Sequence, residues 1–126
     1  MTRSVLIVDD EPDVLNVFGE MLRSLGCRVV MESSGVNSLT LVKREKFDLV
    51  IVDLIMPEKS GLEILKAIRA EDKKLPIILT AGVDINQADI NLQEYGNADF
   101  IKKPFTISDI KLKLNRCFSE KTINKF

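Results

Sequence analysis

The sequence predicts an α/β fold in which a parallel sheet of five strands is covered by helices on both faces. Two observations lead to this prediction. Short apolar runs alternate with segments whose apolar residues recur every three or four positions, and the alternation continues along nearly the whole chain. Strand starts recur about every two dozen residues, which is the length of one strand-helix unit of a parallel sheet.

The first strand-helix unit shows the pattern well. Val5–Val8 is a continuous apolar run, as expected for a strand buried on both faces. Pro12 is favoured in the first turn of a helix and Gly26 is a typical helix end, so the first helix is expected between them. Its predicted buried stripe comprises Val14, Val17, Phe18, Met21, Leu22 and Leu25.

The second and third units follow the same pattern. Arg28–Met31 is a less apolar strand that is expected nearer the sheet edge, and a helix over residues 35–46 follows it. Leu49–Asp53 is the most apolar strand, and Pro57 and Gly61 bracket the turn after it. The next helix carries an apolar stripe of Leu62, Ile64, Leu65 and Ile68.

The last two units complete the sheet. Pro76–Thr80 is the fourth strand, and Asp84–Tyr95 shows a weaker helical pattern. Asp99–Lys102 is the fifth strand. Thr106 and Asp109 form a pair similar to a capping box, which begins the final helix. The sequence therefore predicts five strands and five helices.

The composition fits one domain with a substantial core. The chain has 126 residues, of which 45% are hydrophobic. We expect a domain over residues 1–118 and a polar tail or the start of a linker over residues 119–126. With 18 basic and 19 acidic residues the net charge is -1, so charge gives no reason to expect nucleic acid or an anionic membrane as a partner. No apolar stretch is long enough to span a bilayer, and no signal peptide opens the chain.

Histidine is absent and only two cysteines are present. The absence of histidine excludes His-based catalytic triads, His–Cys dyads and ordinary catalytic zinc sites. It also means that any phosphohistidine in a reaction of this chain must come from another protein. Cys27 and Cys117 lie far apart in apolar contexts, so we interpret them as buried free thiols, which are typical of a reducing, cytoplasmic compartment.

Five polar residues stand where the chain leaves successive predicted strands. They are Asp9, Asp10, Asp53, Thr80 and Lys103. The carboxyl ends of parallel strands share one edge of the sheet, where ligands bind. Three carboxylates at one edge repel each other unless a cation lies among them, and hard oxygen ligands without histidine or cysteine favour Mg²⁺. A hydroxyl and an ammonium group nearby indicate an anion beside the cation, so the combination predicts a metal-assisted phosphoryl site.

Each of these residues also has a purely structural explanation. An aspartate before the first helix can cap it, but this accounts for only one carboxylate of the adjacent pair. Asp53 can end a strand, but the turn is made at Pro57, so the carboxylate is available as a nucleophile toward phosphorus. Thr80 alone would be an ordinary strand residue. Lys103 is preferred to Lys102 because strand alternation directs the two side chains to opposite faces.

Four short motifs follow the predicted strands in order. They are Val8-Asp9-Asp10-Glu11, Asp53-Leu54-x-Met56-Pro57 with Gly61, Thr80-Ala81, and Lys103-Pro104-Phe105. With these motifs the chain resembles the response-regulator receiver domain, the family of the bacterial chemotaxis regulator, over about residues 3–118. The resemblance implies a flavodoxin-like, three-layer α/β/α fold with strand order 2-1-3-4-5.

The resemblance also implies a role for each site residue. Asp53 would accept a phosphoryl group, Lys103 would pair with the phosphoryl oxygens, and Thr80 would donate a hydrogen bond to one of them. Phe100 would be the aromatic switch residue, whose ring turns inward as Thr80 moves. The implied Mg²⁺ ligands are Asp9, Asp10, Asp53 and the backbone carbonyl of Ile55.

By the same resemblance the chain is a switch and not an enzyme that turns over a metabolite. The implied partners are a sensor histidine kinase or a histidine phosphotransfer protein as phosphodonor, and an output domain or target protein. A homodimer through the surface of the expected fourth helix, fifth strand and fifth helix is also compatible with the family. No direct contact with nucleic acid or a membrane is expected.

Three other function classes fit the residues less well. A hydrolase of the haloacid-dehalogenase type needs a second aspartate two residues after the nucleophile, where this chain has Ile55. A nucleotide- or flavin-binding domain needs a glycine- or hydroxyl-rich phosphate loop after the first strand, where Asp9 and Asp10 would repel phosphate. An interaction module that works without phosphorylation stays open, although such modules tend to lack one of the five polar residues.

Overall fold

The computed structural model describes residues 2–86 and 88–118. Five strands form one sheet: β1 (Ser4–Val8), β2 (Arg28–Glu32), β3 (Leu49–Asp53), β4 (Ile77–Ala81) and β5 (Ala98–Lys102). Every neighbouring pair is parallel, and the order across the sheet is β2-β1-β3-β4-β5. The predicted α/β class, the parallel sheet and the order 2-1-3-4-5 are confirmed. The less apolar β2 lies at an edge, as its composition indicated.

Within these described residues four α-helices connect and follow the strands: α1 (Pro12–Ser24), α2 (Gly35–Arg44), α3 (Gly61–Glu71) and α4 (Ile107–Phe118). Side-chain caps explain several of their starts. The Ser34 hydroxyl accepts the Asn37 N–H at 3.3 Å at the start of α2. At the start of α4, the Thr106 hydroxyl accepts the N–H of Asp109 and the Asp109 carboxylate accepts the N–H of Thr106. The capping pair predicted from the sequence is therefore present.

The prediction of a helix over Asp84–Tyr95 is wrong. Within the described residues, the connection between β4 and β5 contains turns and one short 3-10 helix, Leu92–Tyr95, and no α-helix. Asp89 has a φ of 55°, which interrupts a right-handed helix. The segment is rich in aspartate and asparagine, whose short side chains bond the backbone locally and favour turns over helix. The helix expected as the fifth is therefore α4.

The sheet separates two apolar clusters because successive strand side chains point to opposite faces. On one side α1 and α4 pack against the sheet; this cluster includes Val5, Ile7, Phe18, Leu22, Ile110 and Leu114. On the other side α2 and α3 pack; this cluster includes Leu6, Val8, Val52, Leu39, Ile64 and Leu65. The three-layer α/β/α architecture is confirmed. The stripe predicted for α1 needs one correction, since Val17 is 54% exposed and Leu15 is buried in its place.

Both cysteines are free thiols, as predicted. Cys27 is buried, in agreement with the prediction, whereas Cys117 is only half-buried. Burial raises the pKa of the Cys27 thiol, and it raises that of Cys117 to about 11. In the part of the chain that the structure covers, no helix combines the length and the apolar character needed to cross a membrane. The tail expected over residues 119–126 lies outside the described residues.

Candidate functional site

Sheet register places the predicted residues at one edge. β1 and β3 pair with Val8 opposite Val52, so Asp9 and Asp53 are the next residues along these adjacent strands. β3 and β4 pair with Asp53 opposite Thr80. The shared edge at the carboxyl ends of parallel strands therefore brings together side chains that are distant in sequence.

Four carboxylates form a compact group at this edge. One oxygen from each of Asp9, Asp10, Glu11 and Asp53 lies within 4.8 Å of the others. Asp9 and Asp53 are buried, with exposed fractions of 2% and 5%, whereas Asp10 is half-buried and Glu11 is exposed. Sequence reasoning selected three of the four and missed Glu11. Its position directly after the aspartate pair, before the first turn of α1, was the available indication.

Lys103 is the cation that faces the buried carboxylates. Its Nζ lies 2.9 Å from Oδ2 of Asp9 and 3.5 Å from Oδ2 of Asp53. The backbone N–H of Lys103 donates to the Ala81 carbonyl at 2.7 Å. This bond continues the pairing of β4 and β5 beyond the strand end. The peptide bond to Pro104 is cis. Lys102 points elsewhere and forms an exposed ion pair with Asp84 at 3.6 Å, in agreement with the choice between the two lysines made from strand alternation.

The site carries more negative charge than its lysine can balance. Burial, together with the charge of Asp9, raises the pKa of Asp53 to about 6, although Lys103 and the N–H of Ile55 act in the opposite direction. Burial acts to lower the pKa of Lys103, but its hydrogen bond to Asp9 and the charges of both aspartates outweigh burial, so its pKa is raised. Lys103 is therefore charged, and the carboxylates leave a net negative charge that a further cation would neutralise.

Backbone donors orient the two buried carboxylates. Oδ1 of Asp9 accepts the N–H of Glu11 at 3.0 Å, and Oδ1 of Asp53 accepts the N–H of Ile55 at 3.3 Å. In both side chains the other oxygen, Oδ2, faces Lys103. Each carboxylate is thus fixed in direction by its own loop, which is the kind of preorganisation that a group-transfer site requires.

The loop after β3 depends on a glycine. The Gly61 N–H donates to the Leu54 carbonyl at 2.8 Å, so α3 begins directly against the loop that follows Asp53. A Cβ on Gly61 would overlap the carbonyl oxygen of Asp53 and lie only 2.8 Å from the Cα of Leu54 and from Cγ1 of Val52. The close approach of α3 to the site is therefore possible only without a side chain at this position.

The remaining predicted residues surround this group. Thr80 is buried on β4 next to Asp53, and Gly82 two residues later has open space around it. Phe100 on β5 pairs with Leu79 and packs, half-buried, against the cluster on the α3 side. The side chain of Ile55 is 65% exposed. The use of its backbone carbonyl as a metal ligand stays a prediction, as do the chemical roles of the other residues.

Comparison with known proteins identifies the family. The model of the response regulator receiver domain matches residues 5–115. The chain belongs to the response-regulator receiver family. This receiver domain is 32% identical over 111 residues to the probable transcriptional regulatory protein TcrX of Mycobacterium tuberculosis, covering 88% of the chain and 47% of TcrX. It is 33% identical over 117 residues to the chemotaxis protein CheY-3 of Vibrio cholerae, covering 90% of each.

A solved structure supports the same assignment. The receiver domain of the sensor histidine kinase PA1611 from Pseudomonas aeruginosa PAO1 superimposes with a TM-score of 0.85 at 27% identity, covering 94% of this chain and 99% of that one. That structure has a magnesium ion coordinated in its active site cleft. The chain spans about half the length of TcrX, which is longer than a single receiver domain. The resemblance drawn from the four sequence motifs is confirmed.

Proposed function

We propose that this receiver domain accepts a phosphoryl group on Asp53 from the phosphohistidine of a sensor histidine kinase or a histidine phosphotransfer protein. The observation that carries the proposal is the buried Asp53 carboxylate, held by the Ile55 N–H on one oxygen and facing Lys103 on the other. The domain lacks histidine, so the phosphohistidine belongs to the partner. The nearest alternative, an interaction module independent of phosphorylation, gives no reason for this arrangement.

The donor set fits Mg²⁺. The four clustered carboxylates are hard oxygen ligands, and Mg²⁺ is commonly bound by one or two carboxylates together with waters and phosphate oxygens. Asp9, Asp10, Asp53 and the Ile55 carbonyl would hold the ion, and the exposed Glu11 lies within reach. When bound, Mg²⁺ supplies positive charge beside the phosphoryl oxygens. The magnesium ion of the PA1611 receiver domain supports the same assignment here.

The reaction is a displacement at phosphorus. An oxygen of Asp53 attacks, the bond between phosphorus and the histidine nitrogen of the donor breaks, and that nitrogen keeps the electron pair as imidazole leaves. Lys103, already 3.5 Å from Asp53, pairs with the transferred oxygens. The Thr80 hydroxyl donates to one of them from the neighbouring strand. The domain modifies itself once per cycle, so it works as a switch without turnover of a metabolite.

The response follows from the same contacts. Movement of Thr80 toward the phosphoryl group vacates space beside β5 that the half-buried Phe100 ring can fill. The exposed surface of the Leu92–Tyr95 turn, β5 and α4 then changes. This surface is the proposed contact for an output domain, a target protein or a second copy of the chain.

Phosphorylation is tested with acetyl phosphate and Mg²⁺, read by intact mass. We expect one adduct of about 80 Da per chain, because one carboxylate becomes an acyl phosphate. Asp53→Ala should form none, and Asp13→Asn, which removes an exposed carboxylate outside the cluster, should behave as wild type. An adduct that persists in Asp53→Ala would refute the assignment, and no adduct on wild type would favour the phosphorylation-independent module.

Magnesium binding is tested by thermal melting. Mg²⁺ at ten times its dissociation constant should raise the melting temperature by roughly 5 °C, since binding to the folded state alone contributes about 1.4 kcal/mol. Asp10→Asn should abolish the increase because it removes a half-buried ligand, and Asp13→Asn should retain it. A melting temperature that ignores Mg²⁺ in wild type would count against the metal site.

A further inference from the structure

The side chain of Arg69 donates hydrogen bonds to the turn of residues 92–97, which leads into β5. We call these bonds the Arg69 clasp. Arg69 lies half-buried in the last turn of α3. Its Nε donates to the carbonyl of Tyr95, its Nη2 to the carbonyl of Asn97 at 2.8 Å, and its Nη1 to the carbonyl of Asp72 at 3.1 Å. All three acceptors are backbone groups, so the guanidinium fixes the path of the main chain. Its planar fork of donors suits several acceptors at once.

This clasp lies where three elements meet. The Asn97 carbonyl also accepts the N–H of Ile77, the first residue of β4, at 3.1 Å. Arg69 therefore ties α3 to the start of β4 and to the entry of β5. Gly96, between the two clasped carbonyls, has a φ of 71°, a conformation that favours glycine. Tyr95 ends the 3-10 helix Leu92–Tyr95, and the guanidinium donates to the carbonyl at this helix end.

Tyr95 of this turn and Phe100 face the same apolar layer. Both pack against the cluster on the α3 side of the sheet. Phe100 follows Asn97 by three residues on β5, and β5 is held from the opposite layer by the ion pair of Asp99 with Lys113 of α4 at 3.0 Å. The turn that Arg69 binds therefore shares a core layer with Phe100 and leads directly into the strand that carries it.

We propose that Arg69 is a positioning residue, which latches the turn of residues 92–97 to α3, and that this turn moves when the Phe100 ring responds to phosphorylation. The latch itself stands on the three hydrogen bonds. The response of the turn rests on the proposed function of Asp53.

The chain contains its own probe of this turn. Tyr95 is the single tyrosine, and tryptophan is absent. Tyrosine emission of the unmodified protein therefore reports on one side chain, in the 3-10 helix that Arg69 clasps. No label has to be introduced.

The latch is tested without phosphodonor in wild type, Arg69→Lys and Arg69→Met. In Arg69→Met we expect hydrogen exchange of the Ala98 amide, which bonds the Gly96 carbonyl at 2.8 Å, to be about tenfold faster, with stronger acrylamide quenching of Tyr95. Arg69→Lys keeps the positive charge but loses the planar fork of donors. Its exchange rate and its Tyr95 quenching should fall between those of wild type and Arg69→Met. Arg23→Met, which removes a last-turn arginine from α1, should match wild type. Unchanged exchange and quenching in both Arg69 variants would overturn the latch; if Arg69→Met does not fold, Arg69→Lys decides.

The response is tested by adding acetyl phosphate and Mg²⁺ while the adduct is followed by mass. In wild type we expect Tyr95 emission to change in step with adduct formation, and in Arg69→Lys we expect a smaller change at equal adduct. A complete adduct with unchanged Tyr95 emission would overturn the response while leaving phosphorylation of Asp53 intact. Failure of any adduct to form would contradict the proposed function, and the latch would still be decided by the measurements without phosphodonor.

Discussion

Gly61→Ala is expected to lower the free energy of unfolding by about 3 kcal/mol or more, because it places a methyl group where backbone already lies. The new Cβ would overlap the Asp53 carbonyl oxygen and would come within 2.8 Å of the Leu54 Cα. Neither obstacle is the end of a flexible side chain, so relief requires α3 to move away from β3. That movement would also break the hydrogen bond from Gly61 to Leu54.

Urea unfolding of wild type and Gly61→Ala measures this loss. Gly82→Ala is the matched control, because a Cβ on Gly82 meets nothing within 4 Å and its unfolding free energy should change little. Displacing α3 also moves the loop after Asp53, so slower phosphorylation by acetyl phosphate should accompany the loss of stability. Equal midpoints for wild type and Gly61→Ala would show that this loop tolerates a side chain.

The sequence was sufficient to predict the strands of the sheet and most residues of the site, and both predictions depend on the geometry of a buried parallel sheet. A strand buried on both faces must be continuously apolar, which marked the strands, and the carboxyl ends of parallel strands must meet at one edge. Asp9, Asp53, Thr80 and Lys103 could therefore be grouped although they are far apart in sequence. The strand order came from the resemblance, since alternation alone does not decide which strands are neighbours.

The features that the sequence did not reveal depend on tertiary contacts. The pattern over Asp84–Tyr95 contained apolar residues at helical spacing, but local aspartate and asparagine chemistry competes with that period. Glu11 joins the carboxylate group because the chain bends at Asp10, between β1 and α1. Two of the three hydrogen bonds of Arg69, to the carbonyls of Tyr95 and Asn97, join residues more than twenty positions apart, and a last-turn arginine gives no indication of them.

The charge state of Asp53 should control the stability of the metal-free domain. Burial and the charge of Asp9 raise its pKa from 3.8 to about 6. The folded state therefore binds the proton more tightly than the unfolded state does, and stability falls as pH rises across this range. The stabilisation from the protonated carboxyl is fully present below about 3.8 and is lost as pH rises through about 6. Above that range the charged Asp53 costs roughly 3 kcal/mol.

Asp53→Asn should therefore stabilise the domain in EDTA at pH 7.5 by up to about 3 kcal/mol, because the amide resembles the protonated acid and needs no counter-charge. The gain should shrink as pH falls and should be only about 0.5 kcal/mol at pH 4, where Asp53 of the folded wild type is protonated as well. Urea unfolding of both proteins between pH 4 and pH 7.5 measures the difference directly, and Asp13→Asn controls for the loss of an exposed carboxylate. Saturating Mg²⁺ should reduce the difference in unfolding free energy at pH 7.5. The ion stabilises the charged Asp53 carboxylate, which is present in wild type and absent in Asp53→Asn. If the difference in unfolding free energy between the two proteins does not vary with pH, the charge of Asp53 does not destabilise the folded domain.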